Sequence, residues 1–147
     1  MYRAYSLIDE DSEVDLIYLD FMKAFDNVPH KRLSLKLKRY GITGKILVIL
    51  EAFLAGRKFV VKIGDFKSNS FRVKSGVPQG TILGPLLFIL YINDLPDGLN
   101  CFASLFADDL KILVAASDRI KAQEDLDYLT KWQETWLLEF NTVDNKC

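Results

Sequence analysis

The 147-residue sequence predicts an α+β fold in which helices pack on one face of a mostly antiparallel sheet. Three observations predict it. Several apolar segments alternate with the period of a strand, other segments repeat their apolar residues with the period of a helix, and short turns join two pairs of strands. The predicted order of elements is β-α-α-β-β-α-β-β-α. Half of the residues are apolar, so residues 1–147 are expected to form one domain with its own core.

The first predicted strand is Val14–Asp20, which is apolar on both of its alternating faces. This pattern is typical of a central strand covered on both sides, with Asp20 at its end. A turn-like stretch over residues 26–29 leads to a helix over His30–Tyr40, whose apolar residues share one face. Gly41 is expected to end this helix. Its other face is basic and carries Lys31, Arg32, Lys36, Lys38 and Arg39.

The middle of the chain predicts a second helix and a hairpin. Thr43 is expected to cap a helix that runs to about Leu54. The segments Arg57–Ile63 and Phe66–Val73 alternate around Gly64-Asp65, which predicts a β-hairpin with glycine first in its turn.

An apolar helix follows the loop over residues 75–81 and ends near Asn93. Pro85 lies in its first turns, where the missing N–H group costs little. The apolar run Ile82–Ile92 is eleven residues long, whereas a membrane-spanning helix needs about 20. We therefore expect a buried core helix and no membrane partner.

The last third of the chain predicts a second hairpin and a long helix. Phe102–Phe106 and Leu110–Ala115 are apolar runs on either side of residues 107–109, so they are expected to pair. Ser117 is expected to cap the last helix. The apolar positions of that helix are Ile120, Leu126, Leu129 and Trp132.

The net charge of −1 conceals an uneven distribution along the chain. Residues 1–26 carry −5, residues 27–93 carry +10 and residues 94–147 carry −6. A cationic block of this size is typical of proteins that bind the backbone of a nucleic acid. A solvated surface with clustered lysines is the alternative.

The two cysteines, Cys101 and Cys147, have no metal-ligand spacing, and the sequence has one histidine. We expect both to be reduced thiols. The first residues lack the apolar stretch of a secretory signal and are too acidic for a mitochondrial one. The expected location is therefore intracellular, either nuclear or cytoplasmic.

Three aspartates stand at the ends of predicted strands. Asp108 and Asp109 lie at the tip of the second hairpin, and Asp20 ends the first strand. A solvated turn is one interpretation of the adjacent pair. If the strand ends are neighbours, however, three carboxylates meet at one rim, and such oxygen ligands suit Mg²⁺. Two such ions about 3.5–4 Å apart can stabilise both oxygens of a phosphoryl transfer.

Three motifs resemble the reverse transcriptase of non-LTR retrotransposons. They are LDFMKAFDNVPH over Leu19–His30, SGVPQGTILGPLLFILYINDLP over Ser75–Pro96, and LFADDLKI over Leu105–Ile112. Their order and the segments between them also resemble that family, and the resemblance covers about Val14 to Trp136. It implies the palm of an RNA-directed DNA polymerase, with the other subdomains, the fingers and thumb, largely absent from this chain.

The resemblance also implies roles for particular residues. Asp20, Asp108 and Asp109 would be the catalytic, metal-binding carboxylates, with two Mg²⁺ ions or Mn²⁺ as a substitute. Gln79 and Gly80 would contact the incoming dNTP. Phe25 falls at the family's steric-gate position, where a ring excludes the ribose 2′-OH, although a core phenylalanine is the alternative. Ser75 and Pro78 would shape the loop, and the roles of Lys23 and Asp26 stay open between structural pairing and site support.

The remaining expectations concern partners and activity. The implied partners are an RNA template, a DNA primer, dNTP and the rest of a longer polyprotein. The basic helix face would contact the nucleic-acid backbone, or it is simply solvated. Leu110 stands where the family commonly has threonine, and the family's fourth motif degenerates here over residues 140–147, which makes Lys146 a poor general acid. We therefore expect weak or no synthesis by this chain alone. One alternative is a catalytically inert retroelement remnant that binds nucleic acid, and a weaker one is another palm-like enzyme such as a nucleotide cyclase.

Overall fold

The computed structural model describes residues 13–141 and has the expected α+β fold, with helices and antiparallel strands. Its chain divides into two compact units. The first, the sheet unit, takes in the described residues up to Met22 and those from Ile92 onward. The second, the helical unit, is Lys23–Tyr91. Within the described residues, no helix combines the length and the apolar character that crossing a membrane requires.

The sheet unit contains three antiparallel strands in the order β1-β7-β6. Their bounds are β1 Val14–Asp20, β6 Phe102–Phe106 and β7 Asp109–Ala115. β6 pairs with β7 as predicted, but the turn between them has two residues and not three, because Phe106 pairs with Asp109, which begins β7. The buried face of the central strand β7 carries Leu110, Ile112 and Val114, each at most 2% exposed.

The prediction that Val14–Asp20 is a central strand covered on both sides is wrong. Within the described sheet β1 pairs along its length with β7 alone, so it is an edge strand. Leu16 and Tyr18 are 54% and 55% exposed, because they share the open face of the sheet with Asp20. Apolar residues on both faces therefore do not mean burial on both faces here.

The long helix α5 of the sheet unit is Arg119–Trp136. It begins after a 3₁₀ turn over Ala116–Asp118, so the prediction that Ser117 caps it is wrong. The predicted apolar face is also partly wrong, because Ile120 is 80% exposed. The buried positions repeat every three or four residues and are Ala122, Asp125, Leu129, Trp132 and Trp136.

The helical unit begins with three helices. They are α1 Ala24–Asn27, α2 His30–Arg39 and α3 Gly44–Leu54. Gly41, with φ +79°, follows the end of α2 as predicted. Thr43 occupies the N-cap position of α3, but its side chain donates and accepts no capping hydrogen bond.

The predicted hairpin and apolar helix complete the helical unit. The hairpin is made of two short ladders, β2 Lys58–Phe59 with β5 Phe71–Arg72, and β3 Lys62–Ile63 with β4 Phe66–Lys67. The helix α4 is Leu83–Ile92, with Pro85 in its first turn. Its burial is one-sided: Leu87 and Phe88 are buried, whereas Leu86 and Ile89 are 48% and 51% exposed.

Candidate active site

Two of the three predicted carboxylates lie directly opposite each other on neighbouring strands. Asp20, the last residue of β1, is the cross-strand partner of Asp109, the first residue of β7. Opposite residues of an antiparallel pair have Cα atoms about 4.5–5.5 Å apart and side chains on the same face. The expectation that these two strand ends meet is therefore confirmed, although they are 89 residues apart along the chain.

The third carboxylate is held differently. Asp108 belongs to the two-residue turn between β6 and β7, next to Ala107, which has the left-handed φ of 53°. The described part of the chain contains no group of three His, Cys, Asp or Glu side chains that could hold a metal ion. The three residues thus share one end of the sheet, but Asp108 does not complete a ready-made ligand group. One reason is that consecutive side chains at a strand end point to opposite faces.

The donor set nevertheless fits a hard divalent cation. Mg²⁺ is usually bound through one or two carboxylates, with waters and substrate phosphates completing its six ligands. The cross-strand pair Asp20 and Asp109 supplies that number of carboxylates, and no soft sulfur or imidazole ligand is involved. This pair can therefore take part in a magnesium site that a phosphate-bearing substrate completes.

A segment from the far end of the described chain fixes the backbone on the other side of Asp20. The N–H of Asn141 donates to the carbonyl oxygen of Asp20 at 2.7 Å, and the N–H of Met22 donates to the carbonyl oxygen of Glu139 at 2.9 Å. Phe21 forms a β-bridge with Phe140, and their rings stack with centroids 4.5 Å apart. The sequence contained a signal for this contact, the Phe140-Asn141 dipeptide of the degenerate fourth motif, but its partner was not predicted.

Lys111 lies two residues after Asp109 on β7, so its side chain is on the same face of the sheet as the carboxylate pair. Lys111 is the cross-strand partner of Tyr18, and its Nζ lies 4.7 Å from the centre of the Tyr18 ring. The hydrogen bond to Tyr18 and the charge of Tyr18 raise the pKa of Lys111, and the charge of Asp109 raises this pKa further. Lys111 was not singled out by the sequence, although its spacing of two from Asp109 puts both on one strand face.

The predicted nucleotide-binding loop lies in the helical unit and is tied to the short helix α1. The N–H of Gly76 donates to the carbonyl oxygen of Val28 at 2.8 Å, and the N–H of Val77 donates to that of Phe25 at 2.7 Å. A Cβ atom on Gly76 would lie 2.6 Å from the carbonyl oxygen of Asp26. The close neighbour of this glycine is therefore the protein's own backbone.

The predicted nucleotide contacts on this loop have different surroundings. Gln79 is exposed, and its Nε2 donates to Oδ1 of Asp26 at 3.2 Å, so Asp26 has a structural partner. Gly80 has φ +73° and open space around it. Phe25 is half-buried and stacks on Phe88 with ring centroids 4.6 Å apart, which agrees with the core alternative for this residue.

A side chain of the chain itself occupies part of the start of helix α4. The hydroxyl of Thr81 accepts a hydrogen bond from the N–H of Gly84 at 3.0 Å and donates to the carbonyl oxygen of Pro78 at 2.8 Å. One of the N–H groups at the beginning of α4 is therefore already used by this side chain.

Comparison with known proteins identifies the family. The sequence profile described as "Reverse transcriptase (RNA-dependent DNA polymerase)" matches residues 6–147, nearly the whole chain. The chain belongs to the reverse transcriptase family. It is 32% identical over 142 residues to the RNA-directed DNA polymerase from mobile element jockey of Drosophila melanogaster, covering 88% of this chain and 15% of the relative.

Other reverse transcriptase relatives show similar identity. The jockey polymerase of Drosophila funebris is 32% identical over 88% of this chain and 15% of its own length. The Pol polyprotein from type-1 retrotransposable element R2 of Popillia japonica is 30% identical over 67% of this chain and 18% of its own length. The chain thus spans less than a fifth of the length of these curated relatives.

The basic helix α2 of this reverse transcriptase family member presents fewer cations to solvent than predicted. Lys31, Lys38 and Arg39 are exposed, and Arg32 is half-buried. Lys36 is 1% exposed, and its Nζ donates to the carbonyl oxygen of Tyr91. The prediction that Lys36 contacts a nucleic-acid backbone is wrong, because its ammonium group is buried against this carbonyl. Lys146, the candidate general acid, and Cys147 lie outside the described residues.

Proposed function

We propose that this chain is the palm portion of an RNA-directed DNA polymerase of a non-LTR retrotransposon. The observation that carries the proposal is the cross-strand pair Asp20 and Asp109, in a chain that belongs to the reverse transcriptase family. In the proposed reaction, the primer 3′-oxygen attacks the α-phosphorus of a dNTP as directed by an RNA template. A phosphodiester bond forms and the bond to pyrophosphate breaks.

The carboxylates at the end of the sheet would hold two Mg²⁺ ions, for which Mn²⁺ can substitute. Asp20 and Asp109 would provide the fixed ligands, and Asp108 would join them when the phosphates are present. The bound ions would supply positive charge that stabilises the attacking and leaving oxygens. Because no proton-transferring histidine is needed for that stabilisation, the contribution of the chain is position and charge.

The helical unit would supply the nucleotide contacts. Gln79 and Gly80 would lie against the incoming dNTP. Phe25 stacks on Phe88 but is only half-buried, and the exposed part of its side chain would exclude a ribose 2′-OH. The support for the first role is the loop geometry, since hydrogen bonds to residues 25–28 hold the loop and Gly80 leaves open space. Fixed backbone next to open space is what a positioned substrate needs.

A primer-extension assay with an RNA template, a DNA primer and one dNTP tests the proposal. The purified chain with Mg²⁺ or Mn²⁺ should add a nucleotide slowly, because it spans less than a fifth of the length of its polymerase relatives. Asp20→Asn and Asp109→Asn should abolish the addition, whereas Asp65→Asn in the hairpin turn should keep it. Addition that survives Asp109→Asn contradicts the metal-site assignment, and rapid processive synthesis contradicts the expected weakness of the chain alone.

Binding of Mn²⁺, measured by electron paramagnetic resonance, tests the site without catalysis. We expect the wild-type chain and Asp65→Asn to bind the ion, with dATP present to complete the ligands. The affinity should fall at least about tenfold in Asp109→Asn, which corresponds to about 1.4 kcal/mol.

The second candidate function is nucleic-acid binding without catalysis. The charge of the helical unit favours it, since residues 27–93 carry +10 and Lys31, Lys38 and Arg39 are exposed on α2. Salt-dependent RNA binding that needs no divalent ion and is unaffected by Asp108→Ala, together with the absence of nucleotide addition, would select this candidate.

A further inference from the structure

A histidine and an arginine converge on one carbonyl oxygen of the loop that carries Gln79. Nε2 of His30, the first residue of α2, lies 2.8 Å from the carbonyl oxygen of Gly76. Nη2 of Arg57 donates to the same oxygen, and Nε of Arg57 donates to the carbonyl oxygen of Leu54 at 3.0 Å. Neither side chain was singled out by the sequence.

Elementary hydrogen-bond chemistry fixes the roles in this contact. A carbonyl oxygen can only accept, so Nε2 of His30 carries a proton and donates. A guanidinium can only donate, so the 3.3 Å approach of Nη2 of Arg57 to Nε2 of His30 is a contact between two donors that share one acceptor. Burial lowers the pKa of Arg57 and the charge of Asp26 raises it. The ordinary arginine pKa is so high that the group stays cationic at neutral pH.

The convergence holds Gly76 through both of the peptide groups that flank its Cα atom. Its N–H is bound by the carbonyl oxygen of Val28, and its carbonyl oxygen is bound by His30 and Arg57. Gly76 is buried, and a Cβ there would collide with backbone atoms 2.6–2.7 Å away, so Gly76 already packs against the backbone of α1. Gln79 lies three residues after Gly76 on the same loop.

We propose that His30 and Arg57 are positioning residues, which hold the Gly76 carbonyl and thereby set where Gln79 and Gly80 meet the incoming nucleotide. The inference rests on the proposed function for the role of Gln79 and Gly80, but the bracing itself does not depend on it. One hydrogen-bond donor is enough to offset the cost of burying a carbonyl oxygen. The second donor is cationic and forms a stronger hydrogen bond, so it makes the loop more rigid than burial alone requires.

Matched variants distinguish the effect of losing a hydrogen-bond donor from the effect of changing the size of the side chain. Arg57→Met and His30→Leu remove the donors, whereas Arg57→Lys and His30→Gln keep a donor at similar size. Lys131→Met, an exposed position on α5, is the control for surface charge. Thermal melting establishes that each variant folds; if Arg57→Met does not, the two His30 variants carry the test.

The first measurement is amide hydrogen exchange in the loop, which needs no enzymatic activity. We expect exchange at Gly76 and Val77 to be about tenfold faster in the donor-free variants, equivalent to about 1.4 kcal/mol of local opening. The donor-keeping variants and Lys131→Met should stay within about twofold of wild type. Unchanged exchange in both donor-free variants would overturn the proposal.

The second measurement is single-nucleotide addition with Mn²⁺ at varied dNTP concentration. The donor-free variants should raise KM for dNTP about tenfold with kcat within about twofold, and the donor-keeping variants should restore KM. A fall in kcat at constant KM would overturn the positioning role. If the wild-type chain adds no nucleotide under any condition, the proposed function fails, and the exchange result still decides whether the two residues brace the loop.

Discussion

Replacing Asp109 by asparagine should make the metal-free protein more stable and the metal-bound protein less stable than wild type. Asp109 and Asp20 face each other across the β1–β7 pair. Like charges directly opposite on a sheet are destabilising. Two unit charges about 5 Å apart in water repel by about 0.8 kcal/mol, and Asp109 is only half-buried, so we adopt about 0.5–1 kcal/mol. Asparagine keeps the shape of the side chain and removes this repulsion.

The predicted shifts are large enough to measure. For a chain of this size, 1 kcal/mol corresponds to about 2–4 °C in Tm, so Asp109→Asn should melt about 1–4 °C above wild type in EDTA. A ligand present at a hundred times its Kd stabilises the folded state by about 2.7 kcal/mol. Mg²⁺ at that level should therefore raise the Tm of wild type by several degrees and leave that of Asp109→Asn nearly unchanged. The rank order of the two proteins reverses between the two conditions.

The assay is thermal unfolding followed by circular dichroism at pH 7.5, in EDTA and in a series of MgCl₂ concentrations, with the same concentration of dATP throughout to complete the metal ligands. Asp65→Asn is the matched control, because it removes an exposed aspartate from the hairpin turn of the helical unit. It should show the same Mg²⁺ response as wild type. An Asp109→Asn protein that melts below wild type in EDTA, or that gains as much from Mg²⁺, would refute the reasoning about this carboxylate pair.

Three further predictions concern single side chains. Gly76→Ala should lower the free energy of unfolding, measured in urea, by about 2 kcal/mol or more. The reason is that a Cβ there would meet backbone atoms at 2.6–2.7 Å and that φ is +84°. A loss below about 0.5 kcal/mol would contradict the close packing of Gly76 against the backbone of α1. Lys38→Met should reduce the salt dependence of RNA binding by about one unit of log–log slope, whereas the buried Lys36, replaced by methionine, should leave the slope unchanged and lower stability. Burial, together with the hydrogen bond and the charge of Asp125, raises the pKa of Cys101 to about 11. Iodoacetamide at pH 8 should therefore alkylate Cys101 slowly, and Asp125→Asn should speed the reaction. The free energy of unfolding should fall as pH rises from about 9 to about 11, because the thiol ionises first in the unfolded state.

The sequence predicted the strand pairing at the site because that pairing has strong local signals. A short turn between Phe102–Phe106 and the following apolar run predicts a hairpin, and an aspartate at the end of another apolar strand predicts a shared rim. The burial of the first strand was not predicted correctly. Leu16 and Tyr18 are exposed beside the carboxylate pair, and hydrophobicity alone does not reveal which face of a sheet is left open.

The contacts that sequence reasoning missed join residues far apart in the chain. The hydrogen bond from Lys36 to Tyr91 spans 55 residues, and that from Arg57 to Gly76 spans 19. Helical periodicity assigned Lys36 to the polar face, because a pattern of spacing carries no information about a carbonyl oxygen on another helix. Polar contacts of this kind depend on packing, which no local motif encodes.

The three aspartates at the end of the sheet differ in how firmly hydrogen bonds hold their backbone. The backbone at Asp20 has β7 on one side and the Glu139–Asn141 segment bound on the other, so two sets of hydrogen bonds fix it. Asp109 lies in the central strand, between β1 and β6. Asp108 instead follows a residue with left-handed φ in a turn, a conformation that costs about 1 kcal/mol without glycine. Side chains on strands are held more precisely than those on loops. In the proposed metal site, the cross-strand pair would therefore be the fixed part, and Asp108 in the turn would be the part that adjusts to bound phosphates.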